Sequence, residues 1–112
     1  MKLSTRDQDQ ASVFHIKGDL TGDHCERLRA EAEQAFRRGV RDLVLDLQET
    51  GFIDSHGLES LLWLQDRGAE SLGQVRLAAP SDDVRTILRV TRLASRVEAH
   101  DSVDDALKSL RI

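Results

Sequence analysis

The chain has 112 residues, 39% hydrophobic and 32% charged, with seven glycines and one proline, which suits one ordinary globular domain and excludes low-complexity architecture. A net charge of −4 removes the electrostatic ground for direct nucleic-acid binding. A lone cysteine, Cys25, excludes an internal disulfide and a Cys-rich metal site. The opening MKLSTRDQDQ lacks the apolar run of a signal peptide, and no stretch approaches the ~20 apolar residues of a membrane span, so a cytoplasmic location without membrane insertion is expected.

In chain order, Met1 to Arg6 is expected to pair beside a first strong strand, Ala11 to Lys17. Gly18-Asp19-Leu20-Thr21-Gly22-Asp23 is turn chemistry. A helix is expected from Asp23 to Arg38, with Cys25, Leu28, Ala32 and Phe36 on one apolar face and Gly39 as its stop. Leu43 to Leu47 is a near-continuous apolar strand, as in a sheet covered on both faces. A second helix is expected from Gly57 to Ala69. Leu58, Leu61, Leu62 and Ala69 are placed on its buried face and Trp63 away from it, and Gly73 ends the unit. Val75 to Ala79 reads as a strand that stops at Pro80. Ser81 caps a third helix carrying Val84, Ile87, Leu88 and Thr91 inward. A short strand at Arg96 to Ala99 precedes a last helix, capped by Asp101 or Ser102, with Val103, Ala106, Leu107 and Leu110 as its apolar residues. The alternation predicts an α/β fold: a mixed β-sheet of four to five strands with about four helices packed against it.

The stretch FIDSHGL concentrates the chemistry. Asp54, Ser55 and His56 are consecutive, so their side chains diverge and cannot line up as a proton relay. Ile53 stands where a nucleophile elbow needs glycine. No enzyme activity is expected. His15, His24, Cys25, His56 and His100 lack metal-ligand spacing, so neither a metal nor another cofactor is expected. Asp46, late in a strand, could accept phosphate in a receiver-type site. Such a site needs an acidic pair after the first strand, and Phe14-His15-Ile16-Lys17 offers none, so Asp46 reads as a structural acid. Ser55 stands at the mouth of a helix, where N–H groups and the macrodipole favour negative charge. A serine there can be a simple cap, or it can accept a phosphoryl group whose charge of about −1.5 to −2 disrupts a docked partner. Trp63 is either covered by the C-terminal helix or a sheet edge, or it anchors a partner. Arg85, Arg89 and Arg92 form a basic stripe that reads as a solvated face.

The run LVLDLQETGFIDSHGLESLLWL resembles the signature of STAS domains, especially bacterial anti-sigma factor antagonists. Their hydrophobic strand ends in Asp, and Asp-Ser-(Ser/Thr)-Gly-Leu then opens a helix. Ile16-Lys17-Gly18-Asp19-Leu20 is similar to the family's Gly-acid-Leu corner, and the likeness extends from Ser12 to Leu110. The resemblance implies a single STAS domain spanning residues 1–112, with phosphorylation at Ser55 and no chemistry of its own. It implies a serine-kinase anti-sigma factor as partner and a PP2C-type phosphatase that reverses the modification. Asp54, His56, Gly57, Leu58, Glu59, Thr21, Asp23 and Trp63 are the expected partner-binding residues, on a chain that is monomeric when free. Three residues depart from the pattern: His56 replaces Ser or Thr, Thr21 stands where many antagonists have Asp, and Glu59 replaces a small residue. They support an alternative, a STAS subunit docked on the ATPase of a lipid-transporting ABC system without a phosphorylation cycle.

Overall fold

The β-branched and aliphatic runs become a five-stranded mixed sheet in the computed structural model, which describes residues 1–8 and 10–110. β1 (Lys2–Gln8), β2 (Ala11–Lys17), β3 (Asp42–Asp46), β4 (Val75–Ala78) and β5 (Glu98–His100) lie across the sheet in sequence order. β1 pairs antiparallel with β2, and β2 to β5 run parallel. Parallel neighbours need a crossover, which helices supply: α1 (Gly22–Arg37), α2 (Ser55–Glu70), and α3 (Asp82–Val90) followed by a 3-10 turn at Leu93–Ser95. α4 (Val103–Ser109) follows β5. The α/β layer predicted from the alternation is the fold observed.

Burial on both faces explains the uninterrupted Leu43-Val44-Leu45. Phe14, Ile16, Leu43, Leu45 and Leu77 pack with buried residues of α1, α2 and α3. Val13, Val44 and Ala78 point the other way, against Ala106 and Leu107 of α4. β1 is an exposed edge, and Lys2, Arg6 and Asp7 along it discourage pairing with another chain.

Three expectations about the helices need correction. α2 begins at Ser55, two residues before the predicted start, and its buried residues are Gly57, Ser60, Leu61, Leu64 and Gly68. Leu58 and Leu62 are only half-buried and Ala69 is exposed. The helix turns its glycines inward because Gly57 must approach Leu20 and Ile53 closely, which rotates the face away from Ala69. Thr91, expected inward, is the exposed C-cap of α3, where its hydroxyl donates to the Ile87 carbonyl at 2.6 Å. Of the two candidate caps of α4, Ser102 is the one used, as expected, accepting from the Asp105 N–H at 3.0 Å. The Ser81 cap on α3 stands as expected, at 3.3 Å from the Val84 N–H.

The link from β3 to α2 is pinned before it reaches Ser55. Thr50 is buried, and its hydroxyl donates to the Ile16 carbonyl at 2.8 Å. Gly18 N–H donates to the Glu49 carbonyl at 3.0 Å. Glu33 of α1 and Arg67 of α2 form a two-pronged ion pair at 3.0 and 2.8 Å, which ties the two helices together along their length.

Candidate functional site

The site grows from two strand-to-helix corners zipped side by side. The Leu20 N–H donates to the Phe52 carbonyl at 2.9 Å, and Leu20 bridges Ile53. Leu20 and Ile53 are buried, which leaves Thr21–Asp23 and Asp54–His56 as neighbours at the surface.

Asp54 is the keystone. It occupies the N-cap of α2 in extended conformation, with one carboxylate oxygen accepting from the Gly57 N–H at 2.8 Å. The other accepts from the Gly22 N–H at 3.0 Å, so one side chain caps α2 and clamps the start of α1. The Gly57 hydrogen bond holds the Asp54 carboxyl below the usual carboxylate range against its partial desolvation, with help from Gly22 and from nearby His56. Asp54 is therefore ionised at neutral pH.

This corrects the reading of Ser55 as a cap. Ser55 is the first residue of α2 and exposed, and among the described residues its hydroxyl makes no hydrogen bond to another protein group. The hydroxyl is presented to solvent at a helix N-terminus, where the macrodipole tolerates added negative charge. His56 is exposed beside it, with Nδ1 3.8 Å from the Asp54 carboxylate, too far for a hydrogen bond.

Of the other expected residues, Asp23 and Glu59 are exposed, and Thr21 is half-buried at the N-cap of α1 without a side-chain capping bond. Gly57 is buried, and Leu58 is half-buried against the core. Beside the paired corners, a cavity of about 190 Å³ is lined by Gly22, Cys25, Glu26 and Arg29 of α1 and by His56 of α2. Trp63 lies two turns along α2, half-buried on the core, with the Arg29 guanidinium 5.6 Å from its ring centroid. It meets Arg29 of α1 and packs on the larger cluster, whereas the buried residues of the C-terminal helix belong to the other one, so the expected cover by that helix is corrected. Asp46 is tied to His15 at 2.7 Å and to the Gln48 N–H at 3.1 Å, which fits a structural acid. Sequence reasoning missed Phe52, which is 48% exposed three residues before Ser55. Its signal was a large apolar residue directly after a glycine, in a link rather than in a periodic run.

The family model described as "Mlab, STAS domain" matches residues 3–99. The chain belongs to the STAS domain family. Its STAS fold is similar to that of TM1081 from Thermotoga maritima, with a TM-score of 0.91 and 19% identity over 98% of this chain and 95% of that one. An anti-sigma factor antagonist from Mycobacterium paratuberculosis matches with a TM-score of 0.87 and 22% identity over 99% and 94% of the two chains. The unphosphorylated form of the Bacillus anti-sigma factor antagonist SpoIIAA matches with a TM-score of 0.81 and 21% identity over 98% and 96%. Among the described residues, no helix of this STAS domain is long and apolar enough to cross a membrane.

Proposed function

We propose that this STAS domain is an anti-sigma factor antagonist, a docking module whose binding to a serine-kinase anti-sigma factor is switched by phosphorylation of Ser55. One observation carries the reading: Asp54 does the capping, so the Ser55 hydroxyl has no structural duty and stands free beside the paired corners. A phosphoryl group there would add about −1.5 to −2 of charge next to the ionised Asp54, on the surface a partner would cover. Thr21, Asp23, His56 and Glu59 surround it as contact residues, and Phe52 adds an exposed apolar one. SpoIIAA, solved in unphosphorylated and phosphorylated forms, has this fold at 21% and 20% identity, which makes the comparison apt. A PP2C-type phosphatase would reset the switch.

The test is direct. Ser55→Asp should abolish co-purification with the cognate kinase, and Ser55→Ala should preserve it; equal binding by both would sink the reading. Intact-mass analysis of protein from its native host, before and after phosphatase treatment, should show loss of one phosphate that maps to Ser55.

The second reading is a subunit docked on the ATPase of a lipid-transporting ABC system. His56, Thr21 and Glu59 favour it because they depart from the kinase-substrate pattern at the exposed corner. The matching family model, moreover, is described as Mlab rather than as an anti-sigma factor antagonist. Under this reading an ATPase subunit co-purifies, and Ser55 carries no phosphate in the cell.

A further inference from the structure

At the sheet edge, away from the paired corners, a cavity of about 370 Å³ is lined by Lys2, Leu3, Ser4, His15, Lys17, Arg27 and Glu49. Its volume lies within the range of about 300–1,000 Å³ usual for small-ligand pockets. Lys2 and Lys17 sit directly opposite each other in the antiparallel pairing of β1 with β2. Like charges so placed repel, and an anion between them would relieve the repulsion. Arg27 adds a third cation from α1. None of the three makes an ion pair among the described residues. Among the described residues Glu49 is the only carboxylate in the lining, so three cations against one acid leave two positive charges in excess, on a chain whose net charge is −4.

His15 forms part of the wall. Its Nδ1 is held by Asp46 at 2.7 Å, which fixes the ring and occupies that acid, leaving Nε2 as the ring's free polar atom. His15 also lines a neighbouring cavity of about 410 Å³ whose lining includes Asp46, Asp101 and Asp104. Those acids bound the basic region on that side.

We propose that the Lys2–Lys17–Arg27 cavity is a binding site for a small soluble molecule bearing a phosphate monoester. The excess of two positive charges matches a phosphate dianion, and the cavity takes a compact ligand. The bounding acids and the negative chain oppose a nucleic-acid strand or an anionic membrane surface, both of which need a broad basic face. The site is independent of Ser55.

The experiment is an amide-resolved NMR titration of the whole chain at constant ionic strength. Inorganic phosphate and glycerol 3-phosphate serve as probes, with sedimentation on phosphatidic acid–phosphatidylcholine vesicles in parallel. Saturable shifts confined to Lys2–Ser4, His15–Lys17, Arg27 and Glu49 are expected, without vesicle binding. Lys17→Glu should weaken the affinity about ten-fold or more, and Lys17→Arg should retain it. Ser55→Asp and Arg89→Glu should leave it unchanged. Lys17 is exposed, so the variants should keep the fold, and the native dispersion of their spectra checks this. Non-saturating shifts spread over Arg89 and Arg92, an unchanged affinity in Lys17→Glu, or binding to vesicles alone would each overturn the proposal.

Discussion

At the scale of single residues the site depends on Asp54 and Gly57, and each has a distinct failure. Asp54 holds two N–H groups, and its folded-state pKa lies below its unfolded value. A depressed carboxyl contributes stability that is fully present above its unfolded pKa, near about 3.9, and is lost as pH falls through the folded pKa. Asp54→Asn keeps an acceptor for Gly57 but loses the charge. It should unfold at lower denaturant than the parent at pH 7, with the gap closing as pH falls below about 3.9; a gap that stays constant in acid would refute the clamp. Gly57 fails differently, because a Cβ there would collide with the Leu20 carbonyl and come within 2.6 Å of Ile53 Cγ2. Backbone cannot yield as a side-chain tip can. Gly57→Ala should therefore cost roughly 1–3 kcal/mol in urea unfolding and loosen the corner that presents Ser55.

At the scale of elements, the end of α2 shows how a right boundary can rest on a different cause. In the sequence Gly73 ends the unit, and glycine is the residue that ordinarily supplies a left-handed helix stop. The residue in left-handed conformation is instead Leu72, at φ 61° and 89% exposed. Leu72 N–H donates to the Ala69 carbonyl and Gly73 N–H to the Gly68 carbonyl, which is the paired closure of a Schellman motif. Gly73 is needed for another reason: a Cβ there would run into the Arg41 carbonyl. Leu72→Gly should then raise stability by about 1 kcal/mol in chemical denaturation, since the side chain buries little and a left-handed Leu is strained. An unchanged or lowered midpoint would count against that strain. The same limit governed the face of α2. Periodicity located the helix, but Leu58, Leu61, Leu62 and Ala69 made as good an apolar arc as the true one. Only tertiary approach at Gly57 and Gly68 selects the face that buries Leu64. The succession of strands and helices along the chain and the Ser81 cap were legible because they depend on local pattern. The capping role of Asp54 was not, because Asp and Ser are both good caps and the choice rests on Gly22, 32 residues away in sequence.

At the scale of the molecule, the two faces of the sheet are unequal, and stability should follow that inequality. Among the described residues, twenty buried residues form the cluster under α1, α2 and α3, against six under α4. α4 has seven residues and contributes only Ala106 and Leu107 as buried residues to its side. Such a short helix cannot persist without its packing. β5 has three residues, two of them exposed, and among the described residues it pairs only with β4. Local opening begins where few apolar contacts must be broken. Native-state amide exchange should thus show α4 and β5 opening well below the global free energy, with β2 and β3 protected up to it. Leu107→Ala should speed exchange in α4 many-fold while leaving the amides of Gly57 and Leu58 unchanged, because those sit on the larger cluster around Leu20 and Ile53. If Leu107→Ala accelerates both regions equally, the two faces unfold as one unit and the Ser55 corner is not insulated from the far side of the sheet.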